Sequence, residues 1–309
     1  MSVSSEAVAW FWESRGWRAT VATVYDQDVC EGETALQWTD GICSVFKVGE
    51  AGADCFYRYR YEGLAEGRFD FETCRIDLKL IDPRCSEATL FHFLSDVLLP
   101  AILDHQGELI VHAGAVVVDG AAVLLLGASG RGKSTLTASF LAEGQTILSD
   151  DGIIISGSER GVCAEAVYPG IRLLPDSLSA LFDASIPTAE VAHYAAKRRI
   201  IRDSRMSAGK YPAALLIFLS EPQESGPVSL APMSAAEACM GLVSKSFALN
   251  PSDKDRARGR IQQASRVANT LPAYALCYPR KISSLPQVRE AIIDAVAVGR
   301  LRNPPCSIR

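Results

Sequence analysis

The residues best suited to chemistry form one short run, Gly127-Ala128-Ser129-Gly130-Arg131-Gly132-Lys133-Ser134, followed by Thr135. The spacing Gly-x-x-x-x-Gly-Lys-Ser has a mechanical meaning. Glycines let successive backbone N–H groups turn inward and cradle phosphate oxygens. Lys133 adds a positive charge to the same oxygens and is expected to face solvent at the loop. Ser134 offers a hydroxyl to Mg²⁺, and a helix starting there aims the positive end of its dipole at the anion. The context supports this, because an apolar stretch, Val123–Leu126, leads in and a helical pattern leads out.

Two carboxylates, Asp150 and Asp151, follow the next apolar stretch. Strands of an α/β sheet that run the same way present their C-terminal ends to one crevice, so the pair is expected beside the loop. One carboxylate can hold Mg²⁺ and the other can take a proton from an incoming hydroxyl. His112 lies upstream, in a β-rich stretch. It is either a structural histidine or a hydrogen-bond donor near a transferred phosphate. Arg172, inside the proline-bounded segment from Tyr168 to Asp176, is a candidate clamp for phosphate or carboxylate. The run Lys197-Arg198-Arg199 is either a solvated face or a set of cations near the phosphoryl group.

These residues need elements to hold them. Asp119-Gly120 separates two apolar runs, 108–118 and 121–126, which predicts a β-hairpin whose second strand feeds the loop. A helix is expected from Ser134 to Ala142, ended by Gly144. Short strands are expected at 146–148 and 153–155, and a central one at 213–219. Helices are expected at 234–247, 254–271 and 286–298. Upstream, Ser86 reads as the N-cap of a helix that Pro100 should kink or end. Before it, 15 of the 24 aromatic residues lie ahead of residue 96. There Tyr57, Tyr59 and Tyr61 alternate with Arg58 and Arg60, a strand with an aromatic and a charged face. Strands are also expected near 20–25, 43–48 and 69–80. The aromatic–arginine pattern suits a sheet packed on its own core better than single-stranded nucleic acid, because the chain carries a net charge of −5. The predicted organisation is a small, mostly β domain (1–85), an α/β (α+β) nucleotide-binding domain (86–300) and a disordered tail (301–309).

Composition sets outer limits. Hydrophobic residues make up 48% of the 309 and charged residues 22%, which is ordinary for a globular chain. The acidic balance offers no global field for nucleic acid. No uncharged apolar run reaches the roughly 18 residues of a membrane span, and residues 1–17 lack the pattern of a secretion signal. Nine cysteines without a Cys-x-x-Cys pair predict free thiols, a cytoplasmic location and no structural zinc.

The run His112-Ala113-Gly114-Ala115, hairpin, Gly127–Thr135 loop, helix, Gly144, strand and Ser149-Asp150-Asp151 resembles the HPr serine kinase family. That family shares its nucleotide-binding core with phosphoenolpyruvate carboxykinases. The likeness extends through Tyr168–Asp176 and Lys197–Arg199 to Leu271-Pro272, Tyr278-Pro279-Arg280 and Leu285–Val288. It is greatest to the HPr-kinase-related kinases of lasso-peptide precursors. The resemblance implies ATP and Mg²⁺ as cofactors, Asp151 as base, Asp150 and Ser134 at the metal, and His112 as a helper. It also implies a peptide or small-protein partner with an acceptor serine, the C-terminal serine of a precursor peptide above all, whose leader the N-terminal domain would grip. The C-terminal signature of true HPr kinases is missing, which leaves HPr itself, phosphorolysis and oligomeric assembly open. The alternatives are a regulatory kinase of another protein, a non-catalytic nucleotide-binding switch, and a carboxykinase-like enzyme acting on a small metabolite.

Overall fold

The computed structural model describes residues 18–22, 34–39, 43–48, 56–158, 161–201 and 203–302. The reading of residues 1–17, the far end of the 20–25 strand and the tail beyond 302 lie outside them. The chain divides into two compact units. One holds Met1–Val97 with Ala192–Tyr194 and Leu249–Lys254, and the other holds Leu98–Val191, Ala195–Ala248 and Asp255–Arg309.

The first unit is built on a six-stranded sheet. Its strands are β1 (Arg18–Ala22), β2 (Thr34–Thr39), β3 (Cys43–Val48), β4 (Phe56–Tyr61), β5 (Ala65–Asp70) and β6 (Arg75–Leu80), in the order β1-β6-β5-β4-β3-β2. The expected single strand at 69–80 is a hairpin instead. The Asp70 carboxylate accepts the N–H groups of Glu72 and Thr73, both at 3.0 Å, and turns the chain there. The Tyr/Arg alternation of β4 is internal packing: Tyr59 is buried against Phe69 and Phe93, while Arg58 and Arg60 lie over the Phe46 ring and pair with Glu66. Ser86 caps α1 (Glu87–His92) by accepting the Thr89 N–H at 3.2 Å. A π-helical turn, Phe93–Leu98, follows, and α2 (Leu99–His105) begins after it. Pro100 therefore does not end the helix. It stands in the first turn of α2, where an N–H is dispensable.

The second unit has a larger sheet. Its strands are β7 (Leu109–Val118), β8 (Ala121–Leu126), β9 (Ile147–Ser149), β10 (Gly152–Ser158), β11 (Gly161–Ala166), then, beyond a small separate sheet of β12 (Ile171–Leu173), β13 (Thr188–Glu190) and β14 (Arg198–Ile200), β15 (Tyr211–Leu219), β16 (Ser229–Pro232) and β17 (Ala273–Cys277). The order is β11-β10-β7-β8-β15-β17-β16, with β9 on β7, and β12-β14-β13 in the small sheet. β7 and β8 form the expected hairpin, Val118 opposite Ala121, with Asp119 and Gly120 at positive φ of 49° and 78°. β15 is central and parallel to β8 and β17.

The helices are α3 (Lys133–Ala142), α4 (Pro175–Leu181), α5 (Ala235–Ser244), α6 (Lys254–Thr270) and α7 (Leu285–Arg302). They cover both faces of the large sheet, which explains its unbroken apolar strands. Ala122, Leu124 and Leu126 of β8 pack with Leu242 of α5 and Val267 of α6. The alternating Val123 and Leu125 pack with Leu136 and Phe140 of α3 and Val288 and Ile292 of α7. Each such buried side chain contributes about 1.5–3 kcal/mol.

Candidate active site

β8 ends at Leu126 and α3 begins at Lys133, so the glycine run is the turn between strand and helix. Gly130 and Gly132 take positive φ, 79° and 92°, which L side chains resist. Gly132 also stands at the N-cap of α3, and no side chain caps that end. The first N–H groups of the helix are thus left for an anion. Gly114 of β7 brings α3 close, since a β-carbon there would collide with the Thr137 hydroxyl.

Lys133 corrects an expectation. It does not face solvent: it is 5% exposed, and its Nζ donates to the carbonyls of Gly127 at 2.9 Å and Ala128 at 3.2 Å. The loop wraps its own lysine because these carbonyls replace the water the ammonium loses. Burial pushes Lys133 down to about 8; the Asp151 carboxylate opposes this, Lys245 and Lys197 add to it, and Asp150 opposes it more weakly.

Beside the loop stand the two carboxylates. β9 and β8 are both antiparallel to β7, so they run the same way and end on the same edge. Asp150 and Asp151 follow β9 directly. The Asp151 carbonyl accepts the Ala113 N–H at 2.8 Å, and Ala113 is the cross-strand partner of Leu126, the last residue before the loop. The Asp151 Oδ1 lies 2.7 Å from His112 Nδ1 and 2.7 Å from Arg172 Nη2. Asp150 is 2% exposed. Its Oδ1 accepts the Arg172 N–H at 3.2 Å and lies 3.7 Å from Arg172 Nε. Its Oδ2 is buried with no hydrogen-bond partner among the described residues.

Arg172, on β12, therefore clamps the chain's own carboxylates. The basic run is divided. Arg198 donates to Thr188 Oγ1 at 3.0 Å on the surface, whereas Arg199 is buried with its guanidinium 5.5 Å from the Tyr168 ring centroid. Lys197 of the three adds its charge to the field that lowers Lys133. In the loop, Arg131 pairs with Glu221, and the Thr135 hydroxyl lies 3.0 Å from that of Ser177. Ser134 is partly buried at the start of α3.

Two pockets flank the loop. One, of about 240 Å³, is bounded by His112, the arm Gly127–Ser129 and the segment Ser244–Phe247. The other, of about 130 Å³, lies at the helix end, among Gly132, Thr135, Tyr278, Arg280 and Lys281. Sequence reasoning missed Lys245. The signal for it was slight: a cation between two serines where an amphipathic helix ends.

The donor set suits a hard divalent cation. Asp150 offers an unpartnered carboxylate oxygen and Ser134 a hydroxyl. No cluster of three or more His, Cys, Asp or Glu side chains that could hold a metal ion occurs among the described residues. The arrangement can thus bind a polyphosphate, share a cation with it and move a proton.

No protein-family model matches the sequence, and no curated protein matches it. Among solved structures, the HPr(Ser) kinase/phosphatase from Coxiella burnetii is similar over 62% of this chain and 97% of that one, with a TM-score of 0.33 and 16% identity.

Proposed function

We propose that the protein is an ATP- and Mg²⁺-dependent serine kinase acting on a peptide or small protein. The observation that carries this reading is the Asp151 carboxylate, fixed between His112 and Arg172 beside a glycine loop that encloses Lys133. A pure binding switch needs the loop and a metal ligand. It has no need of a second carboxylate held by a histidine, which is the arrangement of a proton acceptor.

The N–H groups of Gly130, Gly132 and the first turn of α3 hold the β- and γ-phosphates, with Lys133 at the γ-phosphate. Asp150 and Ser134 would hold Mg²⁺, which would supply neutralisation of the phosphate charge. Arg172 and His112 orient Asp151. Asp151 takes the proton of the serine hydroxyl as its oxygen bonds to the γ-phosphorus and the bond to the β-bridging oxygen breaks, leaving phosphoserine and ADP. Lys133 stabilises the charge that spreads over the transferring group. The N-terminal sheet is assigned to gripping a substrate segment, and the C-terminal serine of a lasso-peptide precursor is the most concrete acceptor, on the motif resemblance alone.

The test is incubation of the full chain with ATP, Mg²⁺ and serine-containing peptides, read by mass spectrometry. Gain of one phosphate on serine is expected. ATP binding without transfer to any peptide or protein acceptor would favour the switch.

A further inference from the structure

Tyr278 is a buried polar side chain that the proposed reaction leaves unused. It follows β17 directly, is 8% exposed and has no hydrogen-bond partner among the described residues. Its Oη faces the glycine run, since a β-carbon added at Gly132 would lie 3.2 Å from it. Burial pushes the phenol up, against the weaker pull of Arg280, so the group keeps its proton and can donate. A buried donor without an acceptor is destabilising, and an acceptor on a ligand would remove that cost.

The surroundings select the ligand. The pocket of about 130 Å³ beside Tyr278 has no acidic residue in its lining, and Arg280 and Lys281, both exposed, border it. Thr135 and Ser177 share one hydrogen bond, so one of their two hydroxyl protons stays available. The uncapped start of α3 adds backbone N–H groups. A set made of donors and positive charge suits an anion that only accepts, such as a phosphate.

Sheet order gives that anion its place in the reaction. In the order β7-β8-β15-β17, β7 lies on one side of β8 and β17 on the other. Leu126 and Ala275 both stand opposite Phe218, so the glycine run and Tyr278 leave the sheet at one edge. Two strand spacings put them about 10 Å apart. His112, one residue beyond the Ala113–Leu126 pair, reaches the same edge on the β7 side and meets Asp151 there. The phosphoryl group to be transferred must face Asp151. The part of the nucleotide left behind therefore extends the other way, toward β17.

We propose that Tyr278 orients the nucleotide: its hydroxyl donates to the phosphate joined to the nucleoside, which is not transferred, and so fixes which end of the triphosphate meets Asp151. The inference rests on the kinase reading above. It gives Tyr278 a role in binding and none in the chemical step.

The experiment compares the full wild-type chain with Tyr278→Phe, which removes one oxygen and keeps the ring. Without nucleotide the variant should melt at the same temperature or higher, because no hydrogen bond of the free protein is lost. Its Kd for ATP and for ADP, each with Mg²⁺, should rise about tenfold, since both nucleotides carry the phosphate in question. Its kcat at saturating ATP, with a serine-containing peptide, should stay within about twofold, as when ground state and transition state lose the same contact. A lower melting temperature of the nucleotide-free variant would show that the hydroxyl already has a partner in the fold, and overturns the inference. Unchanged affinities overturn it too. A loss confined to ATP would put the hydroxyl at the transferred phosphate and reverse the orientation. In each of these cases, phosphate transfer by the wild type leaves the kinase standing. Wild-type protein that binds ATP yet transfers phosphate to no acceptor removes the kinase reading and the orientation that depends on it.

Discussion

At the residue scale, the site depends on groups placed where water cannot reach them easily. Lys133 has an ordinary value of 10.5 and is pushed to about 8 by burial. Between these values the folded chain holds a neutral lysine and the unfolded chain a charged one. The unfolded state then binds more protons, so folding stability should rise with pH across that window. ATP affinity should move the other way, falling as pH passes about 8, because a neutral amine attracts phosphate weakly. Thermal melts and nucleotide titrations from pH 7 to 10 should show these opposite trends in the nucleotide-free and nucleotide-titrated protein, and Lys133→Met should flatten both; parallel trends would refute the assignment. Lys133→Ala should lower transfer on the order of a hundredfold or more, and survival of activity within a few-fold would place catalysis elsewhere. The two carboxylates should separate by phenotype. Asp151→Asn should abolish transfer with little change in ATP affinity, because a base acts on chemistry. Asp150→Asn should weaken Mg²⁺-dependent binding, since it removes the unpartnered buried oxygen. The reverse order of nucleotide affinities would exchange their roles.

At the element scale, the hairpin β7–β8 and helix α3 form one device. β8 delivers the loop, β7 carries His112, and Gly114 lets α3 lie against β7. Gly114→Val should displace α3 and cost about 1–3 kcal/mol of stability by overpacking, together with a loss of ATP affinity out of proportion to that cost. A variant that melts lower yet binds ATP normally would show that α3 does not need this contact to aim the loop. Much of this device was legible in the sequence. Asp119-Gly120 demanded a tight turn, and the glycine run required a strand before it and a helix after it. The hairpin at 69–80 was not legible by periodicity, because the turn is made by a side chain, Asp70, accepting two backbone N–H groups. Of the kink or end expected at Pro100, the end does not occur, for a related reason. A π turn supplies the adjustment a proline usually forces, and a single residue does not announce it.

At the scale of the whole molecule, the chain passes repeatedly between its two units. Ala192 and Leu249, buried in short segments that belong with Met1–Val97, lie far along the sequence from the rest of that unit. His193 there bonds Thr89 at 3.0 Å and lies 3.2 Å from Asp82. A chain beginning at Leu98 should therefore melt below the full protein, with those segments deprived of their partners. The loop, Asp150, Asp151 and His112 all belong to the second unit, so a truncated chain that retains its secondary structure should still be stabilised by ATP and Mg²⁺. Folded truncated protein with no such response would show that the first unit helps to build the nucleotide site.

The sequence by itself determined the glycine-rich turn, the acidic pair beyond it and the strand–turn–helix order that joins them. These features are local: turn chemistry, glycine dihedrals and apolar runs act over a few residues. No helix among the described residues is long and apolar enough to cross a membrane, which the charge distribution along the chain already implied. Only the tertiary structure decided which charges meet. Arg172, Asp151 and His112 are separated by 21 to 60 positions, yet two contacts of 2.7 Å join them. Tertiary structure alone also buried Lys133 in its own loop, occupied Arg172 with carboxylates and left Lys245 facing a pocket. Pairings of this kind depend on sheet order and on the balance of desolvation against ion pairing, which no spacing in one chain records.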